Sequence, residues 1–165
     1  MLTRERRPRR GFTLVELIVT VAVLAVGASL AAPGAAALLA NRKVQGAAQS
    51  ILDGLHQARG EALRRNAPVQ FTLGGTGWTL TQLGSGDTLQ SFASTDWSSL
   101  AITPTGGSNV TFLPSGLVQT GTHLSQVVVT SPVDDSRSRR INVFGGGLIR
   151  MCDPGVTSAD DPRRC

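Results

Sequence analysis

Residues 11–39 read GFTLVELIVTVAVLAVGASLAAPGAAALL, and the reading of this stretch decides the fold. No charged side chain occurs between Glu16 and Arg42. A bilayer core takes about 20 apolar residues in helical form, and residues 12–32 supply that length. The segment ahead of it, MLTRERRPRR, sets five arginines (Arg4, Arg6, Arg7, Arg9, Arg10) against Glu5. Positive charge is retained on the cytoplasmic side of a membrane, so residues 1–10 are expected to stay in the cytoplasm and the rest to be exported.

Glu16 is the anomaly in the apolar run. A carboxylate within a span is costly and tends to mark function, and even near the edge it asks for a cationic partner. Cleavage of the Gly11–Phe12 bond creates one, because the new amino terminus on Phe12 is a cation at a similar depth. A neighbouring copy's terminus offers the same charge, which makes Glu16 a candidate assembly contact.

The hexapeptide Gly11-Phe12-Thr13-Leu14-Val15-Glu16 resembles the prepilin processing motif of type IV pilins and type II secretion pseudopilins. The resemblance implies a prepilin peptidase that cuts after Gly11 and methylates Phe12. It also implies that Glu16, fifth in the mature chain, guides subunit docking. Localisation follows as a single-pass inner-membrane protein with a cytoplasmic N-terminus and a periplasmic C-terminal domain, later moved into a pilus or pseudopilus.

Pro33 removes a backbone hydrogen bond and Gly34 follows it, so a helix kink is expected there; pilins often carry a proline at this point. Beyond it, Val44, Ala48, Ile51, Leu55, Ala58 and Ala62 recur at spacings of four and three. That is the stripe of a helix lying on a sheet. The other face carries Arg42, Lys43, Gln45, Gln49, Asp53, Arg59, Glu61, Arg64 and Arg65 and reads as solvated. Asn66-Ala67-Pro68 ends the helix, since a residue before proline avoids the helical region.

From Val69 onward, short β-prone runs alternate with glycine turns. Strands are expected at 69–73, 78–83, 88–92, 100–103, 109–113, 124–130 and 140–144, with 94–109 largely loop. The segment Val110-Thr111-Phe112-Leu113-Pro114-Ser115-Gly116 resembles a strand and turn of the GspH/FimT branch of minor pilins and pseudopilins.

Charge and motif spacing narrow the function. The chain carries a formal +5, but the leader accounts for most of it, leaving eleven basic and ten acidic side chains. Bulk charge therefore does not make the processed chain a general polyanion binder. His56 and His123 have no Cys, Asp or Ser at catalytic spacing, Gly145-Gly146-Gly147 lacks a phosphate-loop context, and Asp134-Asp135 and Asp160-Asp161 lack an EF-hand pattern. No enzyme activity, cofactor or metal is expected. Cys152 and Cys165 lie in the part expected to be exported, where a disulfide is permitted.

One region carries a possible ligand. In FimT-type minor pilins a Gly-Arg-x-Arg element near the C-terminus is associated with DNA binding; the matching stretch here is Gly147-Leu148-Ile149-Arg150, with Leu148 in place of the first arginine. Arg137, Arg139 and Arg140 could compensate if they share a face with Arg150, although alternation puts Arg139 and Arg140 on opposite faces. Arg163 and Arg164 complete the basic set, and Asp134, Asp135, Asp153, Asp160 and Asp161 oppose it.

The expected fold class is α+β and pilin-like: a long N-terminal helix, its hydrophobic half membrane-embedded, packed on an antiparallel β domain. The parts are a leader (1–11), a transmembrane or filament-core helix (12–40), its amphipathic continuation (41–66) and a periplasmic β domain with a disulfide-tied end (67–165). The function expected is a minor pilin or pseudopilin subunit that joins or primes a filament. A FimT-like DNA-binding pilin acting in DNA uptake, and a GspH-type pseudopilin of type II secretion, are the alternatives. Expected partners are prepilin peptidase, other major and minor (pseudo)pilins, the inner-membrane assembly platform, membrane lipid before assembly, and in the second reading DNA.

Overall fold

The computed structural model describes residues 12–134 and 136–165, and the side chains of all of these except 29–33. Leader 1–11 with Gly11, and the side chain of Pro33 with its expected kink, lie outside the described residues. The chain divides into two compact units at Ala36/Ala37.

A single α-helix, α1, runs Leu14–Arg65. Thr13 opens it: the Glu16 amide donates to Thr13 Oγ1 at 3.2 Å, satisfying one of the donors that a helix start leaves free. Thr13-Leu14-Val15-Glu16 is a capping-box sequence. At the other end Asn66 takes a left-handed φ of 51°, and the Ala67 amide donates back to the Ala62 carbonyl. This is the closing turn that asparagine tolerates better than most residues.

The membrane-embedded half expected for this helix, and with it the single-pass inner-membrane topology, is corrected by the structure. Among the described residues no helix is long and apolar enough to cross a membrane. Glu16 and Thr20 interrupt the apolar run near its start. From 34 to 37 the helix is glycine and alanine, whose small side chains bring little hydrophobicity.

In the second unit eight strands form two four-stranded sheets. They are β1 Val69–Leu73, β2 Gly77–Gln82, β3 Thr88–Ala93, β4 Ala101–Thr105, β5 Asn109–Phe112, β6 Gln126–Thr130, β7 Arg139–Val143 and β8 Ile149–Cys152. The first sheet is ordered β3-β2-β1-β5 and the second β4-β6-β7-β8, with every named pair antiparallel. Between β3 and β4, in a stretch read from sequence as loop, Thr95–Ser99 forms a short 3-10 helix capped by Ser94 and burying Trp97.

One core joins helix and sheets. The stripe Val44, Ala48, Ile51, Leu55, Ala58 and Ala62 is buried throughout. It meets Phe71, Leu80, Val110 and Phe112 of the first sheet and Val127, Val129, Ile141 and Val143 of the second. Each large side chain removed from water here contributes about 1.5–3 kcal/mol. Register explains the alternation, since Phe71 pairs with Leu80 on one side and Val110 on the other, placing all three on the inner face.

Candidate functional site

Two regions hold the residues singled out from the sequence. The first is the start of α1. Phe12 is 84% exposed, and Leu14, Val15, Leu17 and Ile18 are exposed beside it. Successive residues step by about 100° around a helix, so these positions together with Val19, Val21, Val23 and Leu24, exposed as well, cover its whole circumference. A helix that is apolar all round belongs in an apolar surrounding. Glu16 lies exposed in the first turn, where a carboxylate also complements the positive end of the helix dipole.

The second region is the far margin of the second sheet. Register puts Arg140 opposite Cys152 and Asn142 opposite Arg150, so Arg140 and Arg150 share the outer face. Arg139 points the other way, as alternation requires. Its guanidinium donates to Gln45 Oε1 of α1 at 2.7 Å and to Asp153 Oδ2 at 2.7 Å, and the Asp153 side chain is only 7% exposed. Arg139 therefore clamps strand, helix and tail together. Arg137 contributes its backbone amide to Asn41 Oδ1 at 2.6 Å. Of the four arginines proposed to act together, two share a face, one is committed internally and one lies in the connecting loop.

Arg150 is also engaged: its Nη2 donates to the carbonyls of Pro162 and Arg164. The tail it holds is fixed at three further points. Cys152 and Cys165 are joined by a disulfide, Asp153 pairs with Arg164 in a parallel bridge, and the Asp153 amide donates to the Arg163 carbonyl at 2.7 Å. Within the tail the Arg163 side chain and amide both donate to Asp161. Those hydrogen bonds pull the Asp161 carboxyl down from 3.8 to about 2.

Leu148 sits at the tip of the turn before β8 and is 60% exposed, with Phe144 and Leu117 exposed nearby in the chain's turns. Gly147 allows this turn to close. A Cβ there would lie 2.0 Å from the Gly116 carbonyl, and its φ of +79° is in the region glycine favours. Arg59 Nε donates to that same Gly116 carbonyl at 3.1 Å. Arg59, Gln45 and Asp153 are the side chains that sequence reasoning missed. All three looked like solvated charge or polarity, and no local pattern signals a partner 57 or 94 residues away.

The family model for type II transport protein GspH matches residues 47–147, more than half of the chain. The prokaryotic N-terminal methylation motif matches residues 6–32. The type IV minor pilin FimU of Pseudomonas aeruginosa is similar in structure, with a TM-score of 0.56 and 17% identity over 71% of this chain and 96% of that one. The minor pseudopilin EpsH of the Vibrio cholerae type 2 secretion system is similar with a TM-score of 0.54, again at 17% identity, over 69% of this chain and 99% of that one. No curated protein sequence matches the chain significantly.

Proposed function

Because the chain belongs to the type II transport protein GspH family, a group of structural pilin and pseudopilin subunits and not of catalysts, we propose that it is a minor pseudopilin of type II protein secretion. The observation that carries this reading is the family match across residues 47–147, which spans the buried half of α1 and both sheets up to the turn before β8. Of the alternatives drawn from the sequence, this one has the stronger support.

In this reading a prepilin peptidase cuts after Gly11 and methylates Phe12. Neighbouring subunits then cover the apolar surface of Leu14, Val15, Leu17 and Ile18, and burial of such side chains is the main drive for association. Glu16 pairs with the amino terminus of an adjoining subunit. Other (pseudo)pilins and the assembly platform are the partners.

The DNA-uptake reading rests on a narrower observation, the shared outer face of Arg140 and Arg150. Against it stand the internal commitment of Arg139 and the apolar Leu148 at the turn tip. Deleting the gene and scoring secreted protein, piliation and transformation separates the two readings. Lost secretion with normal transformation is expected; normal secretion with lost transformation would overturn the pseudopilin reading in favour of DNA uptake.

A further inference from the structure

Each sheet has two margins, and a bare margin is a row of unpaired donors and acceptors that invites another strand. Three of the four are protected. At β5, Phe112 pairs with Val118 and the amides of Gln119 and Leu124 donate to Thr111 and Asn109. Beside β8 the tail is tied down at Asp153 and held by Arg150. Along β4, Pro104 removes a donor.

Among the described residues β3 is the margin without such protection. Its sequence, TLQSFA, contains no proline, glycine or charge, and all of it but Leu89 is exposed. The Ser94 amide donates to the Thr76 carbonyl. Alternation of the antiparallel ladder from that bond turns Gln90 and Phe92 toward β2 and leaves the amide and carbonyl of Ser91 facing outward.

The two ends of this margin are flanked by cations of α1. A groove of about 570 Å³ beside Leu89 and Gln90 is lined by Arg64 and Arg65, and one of about 370 Å³ beside Phe92 by Arg42 and Lys43. Glu61 and Asp96 pair with some of these cations, yet four positive charges face two negative ones.

From this geometry we infer that β3 is a strand-addition site for an extended segment of another protein whose ends are acidic. Main-chain hydrogen bonds to Ser91 supply the affinity and the flanking arginines select the charge. A second copy pairing through its own β3 does not fit, because Thr88–Ala93 itself carries no acid, Asp87 and Asp96 beside it are fewer than the cations they would meet, and pairing would set the two cationic strips at one margin. The inference does not depend on the pseudopilin reading.

The test uses the full chain and labelled synthetic peptides of about eight residues, alternating threonine and valine. One ends in glutamates, a second in lysines, and a third is the glutamate peptide N-methylated at alternate residues. Fluorescence anisotropy is expected to show the glutamate peptide binding at least about tenfold tighter than the other two. Ser91→Pro should lose that binding with an unchanged melting curve, and Ser91→Thr should keep it. Equal binding of the N-methylated peptide, equal binding of the lysine peptide, or no binding of the glutamate peptide overturns the proposal, even if Ser91→Pro fails to fold.

Discussion

Gly54 lies in the interior of α1, where glycine ordinarily costs about 1 kcal/mol relative to alanine. Here it is required. A Cβ would come within 2.8 Å of the Trp78 ring and 2.9 Å of Phe71, and Trp78 is held on the helix by its indole N–H to Ser50 Oγ at 3.1 Å. Gly54→Ala should therefore destabilise by about 1–3 kcal/mol. Gly60, with nothing within 4 Å of its Cβ position, is the internal control, and Gly60→Ala should stabilise by about 0.5–1 kcal/mol. Urea denaturation of the two variants reads both signs. The buried stripe of α1 was legible because periodicity is local; the need for Gly54 was not, because it arises from a ring on a strand. Asp161 gives a test in pH. Its folded carboxyl titrates at about 2, below its ordinary 3.8. Its pairing with Arg163 thus favours the fold above the ordinary value, and the advantage is lost as pH falls through about 2. Carboxyl NMR should find that midpoint in the intact chain and a return toward 3.8 in Arg163→Ala.

Among the elements, the tail behind β8 depends most on long-range ties. Replacing both Cys152 and Cys165 by serine opens a loop with a sequence separation of 13 and should cost about 3 kcal/mol, measured as a lower denaturation midpoint. Removing Arg139 should do comparable damage. Arg139→Met leaves Asp153 buried without its cation, which costs about 3–5 kcal/mol, while Arg137→Met, whose contact is through the backbone, should be nearly neutral. Thermal denaturation distinguishes them. The sequence reading reached seven of the strands through alternation and glycine turns, with margins within a few residues. It missed β8, whose four residues IRMC are too few to show a period and carry Arg150 in their midst. It also could not show that the strands divide into two sheets, since pairing across β1–β5 and β4–β6 joins segments far apart in the chain. The apolar start of α1 was read from composition as a span, whereas among the described residues no helix is long and apolar enough to cross a membrane.

At the level of the whole molecule, the motif at residues 11–16 and the core behind it point to the same class of protein by independent routes. One is a local hexapeptide within a matched methylation motif; the other is the GspH family match over residues 47–147, a region whose fold is shared with FimU and EpsH. On the proposed pseudopilin reading the apolar collar of α1 serves association, while the disulfide and the hydrogen bonds of Arg139 and Arg150 tie the tail down. If Glu16 guides that association, Glu16→Ala should lower the amount of the chain in filaments several-fold while its level in cells is unchanged, read by quantitative immunoblot. The most direct measurement is mass spectrometry of filaments sheared and purified from cells that express the chain with its secretion machinery. Peptides of this chain in the filament fraction, at a small fraction of the major subunit, are the predicted result. Their presence in the cell extract together with their absence from the filaments would contradict its assignment as a pseudopilin.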